Sequence, residues 1–133
     1  MLIIMITRDA KAGEDGASDI IVIDHDRDTV EFLVSYIQFK GIPAWGMTEG
    51  KDAKEMINKA IPRAILINQT MPHVDVIELA KTLKRSKRTR DIKVFFMSTD
   101  EMKAKTLVKA TNADDYLVKP FDLAALDTLI SGL

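Results

Sequence analysis

Four polar segments carry the side chains able to do chemistry, and each directly follows an apolar run. Asp24-His25-Asp26 follows Ile20-Ile21-Val22-Ile23, and Asn68-Gln69-Thr70-Met71-Pro72 follows Ala64-Ile65-Leu66-Ile67. Ser98-Thr99-Asp100 follows Val94-Phe95-Phe96-Met97, and Lys119-Pro120-Phe121 follows Tyr116-Leu117-Val118. Carboxylates, an amide, a hydroxyl and an ammonium are the groups that hold hard cations and anionic substrates. One polar residue after a strand means little. Four such segments converge if the runs are parallel strands, because ligands of open α/β sheets sit outside the carboxyl ends of the strands.

The intervening sequence supplies the helices such a sheet needs. Val30, Leu33, Val34 and Ile37 fall at helical spacing, with Asp28 as the expected cap and Gly41 as the stop. Ile42 to Trp45 reads as the second strand. Thr48 is the expected cap of a helix bearing Ala53, Met56, Ile57 and Ala60, which Pro62 ends. Val76, Ile77, Leu79, Ala80 and Leu83 make a third helix face, and Met102, Leu107, Val108 and Ala110 a fourth. Asn112 stands where a left-handed residue closes a helix. Asp122 caps a last helix with Leu126, Leu129, Ile130 and Leu133 inward. Continuous apolar runs alternating with helices predict a parallel sheet covered on both faces, an α/β doubly wound fold. The methionines, Met56, Met97 and Met102 among them, fall on expected core faces.

Composition narrows the function. The chain has 133 residues, 47% of them hydrophobic, and a net charge of −1, which suits one folded domain and not a disordered chain. That charge argues against a dedicated nucleic-acid or anionic-membrane binder. With no cysteine, disulfides, thiolate metal sites and a thiol nucleophile are excluded, and a reducing cytoplasm fits. The two histidines, His25 and His73, are too few for a His-rich metal site. No apolar run approaches the ~20 residues of a membrane span. Residues 1–18 read as an extension. Met1 to Ile6 is apolar, read as an extra edge strand or an unstructured tail ahead of the by-product of an upstream start codon, and Thr7 to Ser18 is a small, charged, Gly-containing linker.

From Asp19 to Leu133 the sequence resembles the CheY-like receiver domain of two-component response regulators. The resemblance rests on Ile67 to Asp75, with its Met-Pro-x-x-Asp, and on Ala113-Asp114-Asp115-Tyr116-Leu117-Val118-Lys119-Pro120-Phe121. It implies the flavodoxin-like strand order 2-1-3-4-5 and the family site: an acidic pair, a phospho-accepting Asp, a Ser or Thr, and a Lys before Pro. These positions are held here by Asp24 with His25, by Asn68, by Ser98 and by Lys119, with Tyr116 as the aromatic switch residue. The acceptor and one acidic position therefore depart from the pattern, as does Val76, where the family usually has Gly.

An amide oxygen is a far poorer nucleophile than a carboxylate, and Asn68 and His25 together remove two anionic Mg²⁺ ligands. The resemblance then implies a degenerate receiver, a pseudo-receiver with no enzymatic activity. Lys119 is expected to pair with Asp24 and the Asn68 carbonyl, and Lys119-Pro120 is a candidate cis peptide. No cofactor is expected. Mg²⁺ is expected to bind weakly or not at all, with Asp24 and Thr70 as residual contacts. The expected partner is a signalling protein, whether a histidine kinase, an output domain or another regulator. A homodimer is also open, through the fourth helix, fifth strand and last helix, around Met102 to Val108, Lys105 and Tyr116.

Two other readings stay open. One is a phospho-acceptor using Asp24, Asp26 or Ser98. The other is a flavodoxin-like module for a nucleotide or flavin, although no Gly- or Ser/Thr-rich cradle precedes Thr29. Lys81, Lys84, Arg85, Lys87, Arg88, Arg90 and Lys93 form a basic run without interleaved aromatics, which reads as a solvated surface more readily than as a nucleic-acid site.

Overall fold

The structure, a computed structural model, describes residues 3–4 and 19–133. The expected linker Thr7 to Ser18 lies outside the described residues. Elements follow in the order β1 (Ile3–Ile4), β2 (Ile20–Ile23), α1 (Arg27–Phe39), β3 (Ala44–Met47), α2 (Ala53–Ala60), β4 (Ala64–Asn68), α3 (Val76–Arg85), β5 (Lys93–Ser98), α4 (Glu101–Thr111), β6 (Asp115–Val118) and α5 (Leu123–Ser131). They build a six-stranded sheet ordered β1-β3-β2-β4-β5-β6. From β2 onward all pairings are parallel, so the order counted from Ile20 is the expected 2-1-3-4-5. β1 adds an antiparallel edge against β3, pairing Ile3 with Met47 and Ile4 with Gly46.

Strands β2 and β4 are buried along their whole length, as their unbroken apolar runs require. Their side chains alternate between two cores. One face carries Ile21, Ile23, Trp45, Ile65, Ile67 and Phe96 against α2, α3 and α4. The other carries Ile20, Val22, Leu66, Phe95 and Met97 against α1 and α5 through Val30, Leu33, Val34, Ile37 and Leu126. Each such aliphatic or aromatic side chain contributes about 1.5–3 kcal/mol on burial.

Several boundaries differ from the sequence reading. The second strand runs from Ala44 to Met47, two residues later than expected. Gly46 interrupts the apolar run in the sequence, yet it is needed there: a Cβ would stand 2.2 Å from Val30 Cγ1. Helix α1 begins at Arg27, so Asp26 and not Asp28 stands at the cap position, without a side-chain bond to the helix backbone, and Asp28 lies in the first turn. Helix α2 is preceded by Asp52, and Thr48 is not its cap. Ile61 closes α2 with φ 45°, an uncommon conformation for a β-branched residue, before Pro62.

Other stops and caps match. Gly41 (φ 88°) and Asn112 (φ 62°) are left-handed, and Asp122 accepts the Ala124 N–H at 2.9 Å. Met97 is buried and Met56 half-buried, but Met102 is 71% exposed, contrary to the expected core placement. Ile77, expected inward, is likewise exposed. Ala104 and Thr111 fill the buried side of α4 instead.

Candidate functional site

Parallel register brings the four polar segments to one end of the sheet. Ile23 is level with Ile67, Ile67 with Phe96, Asn68 with Met97, and Ser98 with Val118. The next residues along β2 and β6 are Asp24 and Lys119. Their backbones continue the ladder, with Asp24 N donating to Met47 O at 3.1 Å and Lys119 N to Ser98 O at 2.8 Å. Convergence of the site is thus a consequence of register, as the sequence required.

The Lys119 ammonium donates to Asp24 Oδ2 at 2.5 Å. Asp24 is fully buried, and Lys119 is only 19% exposed. A buried carboxylate needs such a partner, because a lone charge removed from water costs several kcal/mol. Oδ1 of Asp24 accepts the Asp26 N–H at 3.0 Å, and His25 Nδ1 lies 3.5 Å from the same oxygen. The His25 side chain is itself 54% exposed.

Asn68 is buried, and its amide nitrogen donates to the Thr70 carbonyl at 2.9 Å. A carbonyl oxygen only accepts, so this contact fixes which end of the amide faces Thr70. Of the expected pairing, the Lys119–Asp24 half is present, while the Asn68 amide is turned to Thr70. Ser98 is buried within its own turn: Oγ donates to Asp100 O at 3.0 Å and accepts the Asp100 N–H at 2.9 Å. Asp26 is exposed, and the Thr29 hydroxyl, donating at 2.6 Å, holds its carboxyl below the ordinary range. His73 is an exposed loop residue with φ 63°. The Lys119–Pro120 peptide is cis.

Tyr116 points away from this cluster. Its phenol donates to Glu101 Oε2 at 3.2 Å across to α4. Burial first, and then this carboxylate, push the phenol above its usual value. Val108 is half-buried against the α2–α4 core, and Lys105 is exposed on α4. Val76 begins α3 with its side chain buried, behind Asp75, which caps the helix by accepting the Glu78 N–H at 3.0 Å. Much of the basic run is tied down within the chain. Lys84 meets Asp114 at 2.6 Å, Arg85 meets Glu78 at 3.1 Å, and Arg88 donates to the Asn58 carbonyl at 3.0 Å.

Among the described residues, no group of three or more His, Cys, Asp or Glu is placed to hold a metal ion. None of their helices is long and apolar enough to cross a membrane.

The sequence matches the response regulator receiver domain profile over residues 20–131. The chain belongs to that family. Response regulator SaeR of Staphylococcus aureus is 28% identical over 115 residues, a stretch covering 86% of this chain and 49% of that protein. The chain therefore spans about half the length of the curated relatives it matches. The receiver domain of Francisella response regulator 1452 is 28% identical and superposes with a TM-score of 0.74, covering 86% of this chain and 93% of that one. A response regulator from Chloroflexus aurantiacus, 22% identical, superposes with a TM-score of 0.79 over 86% of this chain and 95% of its own, and shows the shared fold. The two-component receiver resemblance read from the sequence is thereby established. The missed elements of the site are directional ones, above all the Asn68 amide on Thr70, which residue types alone do not encode.

Proposed function

We propose that this receiver domain takes no phosphoryl group at Asn68 and works in two-component signalling through protein–protein contact alone. The observation that carries the reading is the amide at the end of β4, whose nitrogen donates to the Thr70 carbonyl at 2.9 Å. Acyl phosphate formation needs a carboxylate oxygen to attack phosphorus. An amide oxygen has its electron density delocalised onto nitrogen and offers no anion.

Neighbouring groups do not replace it. Asp24 is buried and held by Lys119, Ser98 is closed into its Asp100 turn, and the Asp26 carboxyl is turned to Thr29. Mg²⁺ would have to rest on Asp24 and the Thr70 carbonyl. The first already neutralises an ammonium, and the second faces an N–H donor whose positive end repels a cation. Hard divalent cations require several oxygen ligands, so these residues do not fit Mg²⁺.

In this reading the domain performs no chemistry of its own. It meets a histidine kinase, an output domain or another regulator in the cytoplasm. The basic run serves the fold and solvent, not nucleic acid. Treating the chain with acetyl phosphate and Mg²⁺ and measuring its intact mass tests the proposal. An unchanged mass is expected, and a phosphoryl group located on the peptide containing Asn68 overturns it.

A further inference from the structure

Ile77 of α3 is 39% exposed, although its spacing in the sequence matches the buried face of the helix. It lines a groove of about 410 Å³ between α3 and α4, beside the loop that follows β4. Leu107 of α4 is the second apolar residue there, and Gln69, Thr70, Lys103 and Thr106 complete the lining. Small-molecule sites have this character: an apolar surface enclosing roughly 300–1,000 Å³, with a few polar groups that fix orientation.

The groove is preformed. Gln69 N donates to Met97 O at 2.8 Å, and the Thr70 carbonyl accepts the Asn68 amide at 2.9 Å. Asp100 accepts the Lys103 N–H at 3.2 Å, which fixes the first turn of α4. The bonding capacity of the lining is unbalanced. Gln69 Oε1 is buried with no hydrogen-bond partner among the described residues, a costly state for an acceptor. The last torsion of glutamine is soft, so a turn of the amide presents this oxygen to the groove. The Thr106 hydroxyl gives its proton to Met102 O at 3.0 Å, and its oxygen remains an acceptor.

Lys103 is the one charged residue of the lining, and its ammonium meets no carboxylate among the described residues. The acids of α3 and α4 do not offset it. Glu78 is paired with Arg85, Asp75 and Asp100 are turned to the first turns of their helices, and Glu101 accepts from the Tyr116 phenol. Lys105 and Lys109 are exposed on α4 outside the lining, and their sign also favours an anion. Lys81 lines a separate hollow by the last turns of the two helices.

We infer that this groove binds a small apolar carboxylate that carries an N–H or O–H donor. The carboxylate meets Lys103, the apolar body lies between Ile77 and Leu107, and the donor meets the Gln69 or Thr106 oxygen. A phosphate ester fits less well, because a single ammonium and no guanidinium would face its two charges. The site stands apart from the phosphate-free docking proposed above, since none of its lining residues holds the phospho-acceptor position.

Indoleacetate is the probe, with a carboxylate, a flat apolar body and one N–H. Indoleacetamide removes the charge, and N-methylindoleacetate removes the donor, so the ligand series tests each contact without altering the protein. Binding to the whole chain is followed by backbone amide shifts. Indoleacetate is expected to saturate with a Kd of about 1 mM or tighter and to shift Gln69, Ile77, Thr106 and Leu107. Loss of the charge, in indoleacetamide or in the Lys103→Gln variant, should weaken binding about fivefold. Loss of the donor or acceptor, in N-methylindoleacetate or in Gln69→Leu, should weaken it about threefold. Thermal melts verify that both variants are folded.

The inference is overturned by indoleacetate shifts that do not saturate below about 10 mM. Equal binding of indoleacetate and either analogue overturns it as well, as do unchanged binding to Lys103→Gln and shifts centred on another face.

Discussion

Lys119 Nζ lies 2.5 Å from Asp24 Oδ2, and the carboxylate it meets is fully buried. The pair joins the end of β2 to the end of β6, across β4 and β5 of the sheet. An ammonium committed to a carboxylate is not free to meet an incoming anion. The relationship therefore links the packing of the domain to the loss of phosphoryl chemistry proposed for it.

Breaking that pair should destabilise the fold. Lys119→Met leaves Asp24 buried without its partner, and removal of one member of a buried pair costs about 3–5 kcal/mol. Urea denaturation of the variant should show a loss in that range. The double variant Asp24→Asn, Lys119→Met should recover part of it. A Lys119→Met variant within about 0.5 kcal/mol of the parent would mean that water, not lysine, stabilises Asp24.

Both tyrosines should titrate above the ordinary phenol value of about 10. For Tyr36 the main cause is its hydrogen bond to Asp127, at 2.6 Å; for Tyr116 it is burial, then Glu101. A raised folded-state value means the neutral phenol is favoured by folding. This contribution is full below about pH 10 and is lost as pH rises through the folded-state value. Ultraviolet titration of Glu101→Gln should lower the Tyr116 midpoint, but not fully to the ordinary value, because burial remains. A midpoint that does not move would show that the Glu101 contact is absent in solution.

Gly46→Ala should cost about 1–3 kcal/mol, the range for inserting a group into a filled core. Its Cβ would fall 2.2 Å from Val30 Cγ1 and 3.2 Å from Val34 Cγ2. Trimming Val30→Ala in the same chain should relieve part of that cost, giving a non-additive double-mutant cycle. Strict additivity would place the strain elsewhere.

Asn68→Asp alone should not restore efficient phosphorylation. The new carboxylate supplies a nucleophile, but His25 still stands where the family has a second acidic residue. The double variant Asn68→Asp, His25→Asp should accept phosphate from acetyl phosphate and Mg²⁺ at least about tenfold faster than the single variant, a difference of ~1.4 kcal/mol in barrier. Equal rates would show that His25 is no obstacle.

The parallel order was legible because Ile20–Ile23 and Ala64–Ile67 are apolar throughout, as strands covered on both faces must be. The convergence of Asp24, Asn68, Ser98 and Lys119 followed from the same alternation. The register of β3 was less legible, since Gly46 carries no hydrophobic signal while its missing Cβ makes room for Val30. Caps at Asp28 and Thr48 were misplaced because several polar residues precede each helix, and the backbone decides among them. Met102 was read inward from spacing alone, whereas Ala104 and Thr111 take the buried side of α4. The edge strand at Ile3–Ile4 was one of three readings of the same apolar run.

Intact mass spectrometry of the unaltered chain after incubation with acetyl phosphate and Mg²⁺, with peptide mapping of any product, tests the central claim most directly. The predicted result is an unchanged mass, with Asn68 unmodified and no phosphoryl group on Asp24, Asp26 or Ser98. One stable phosphoryl group per chain at any of these four residues would contradict it.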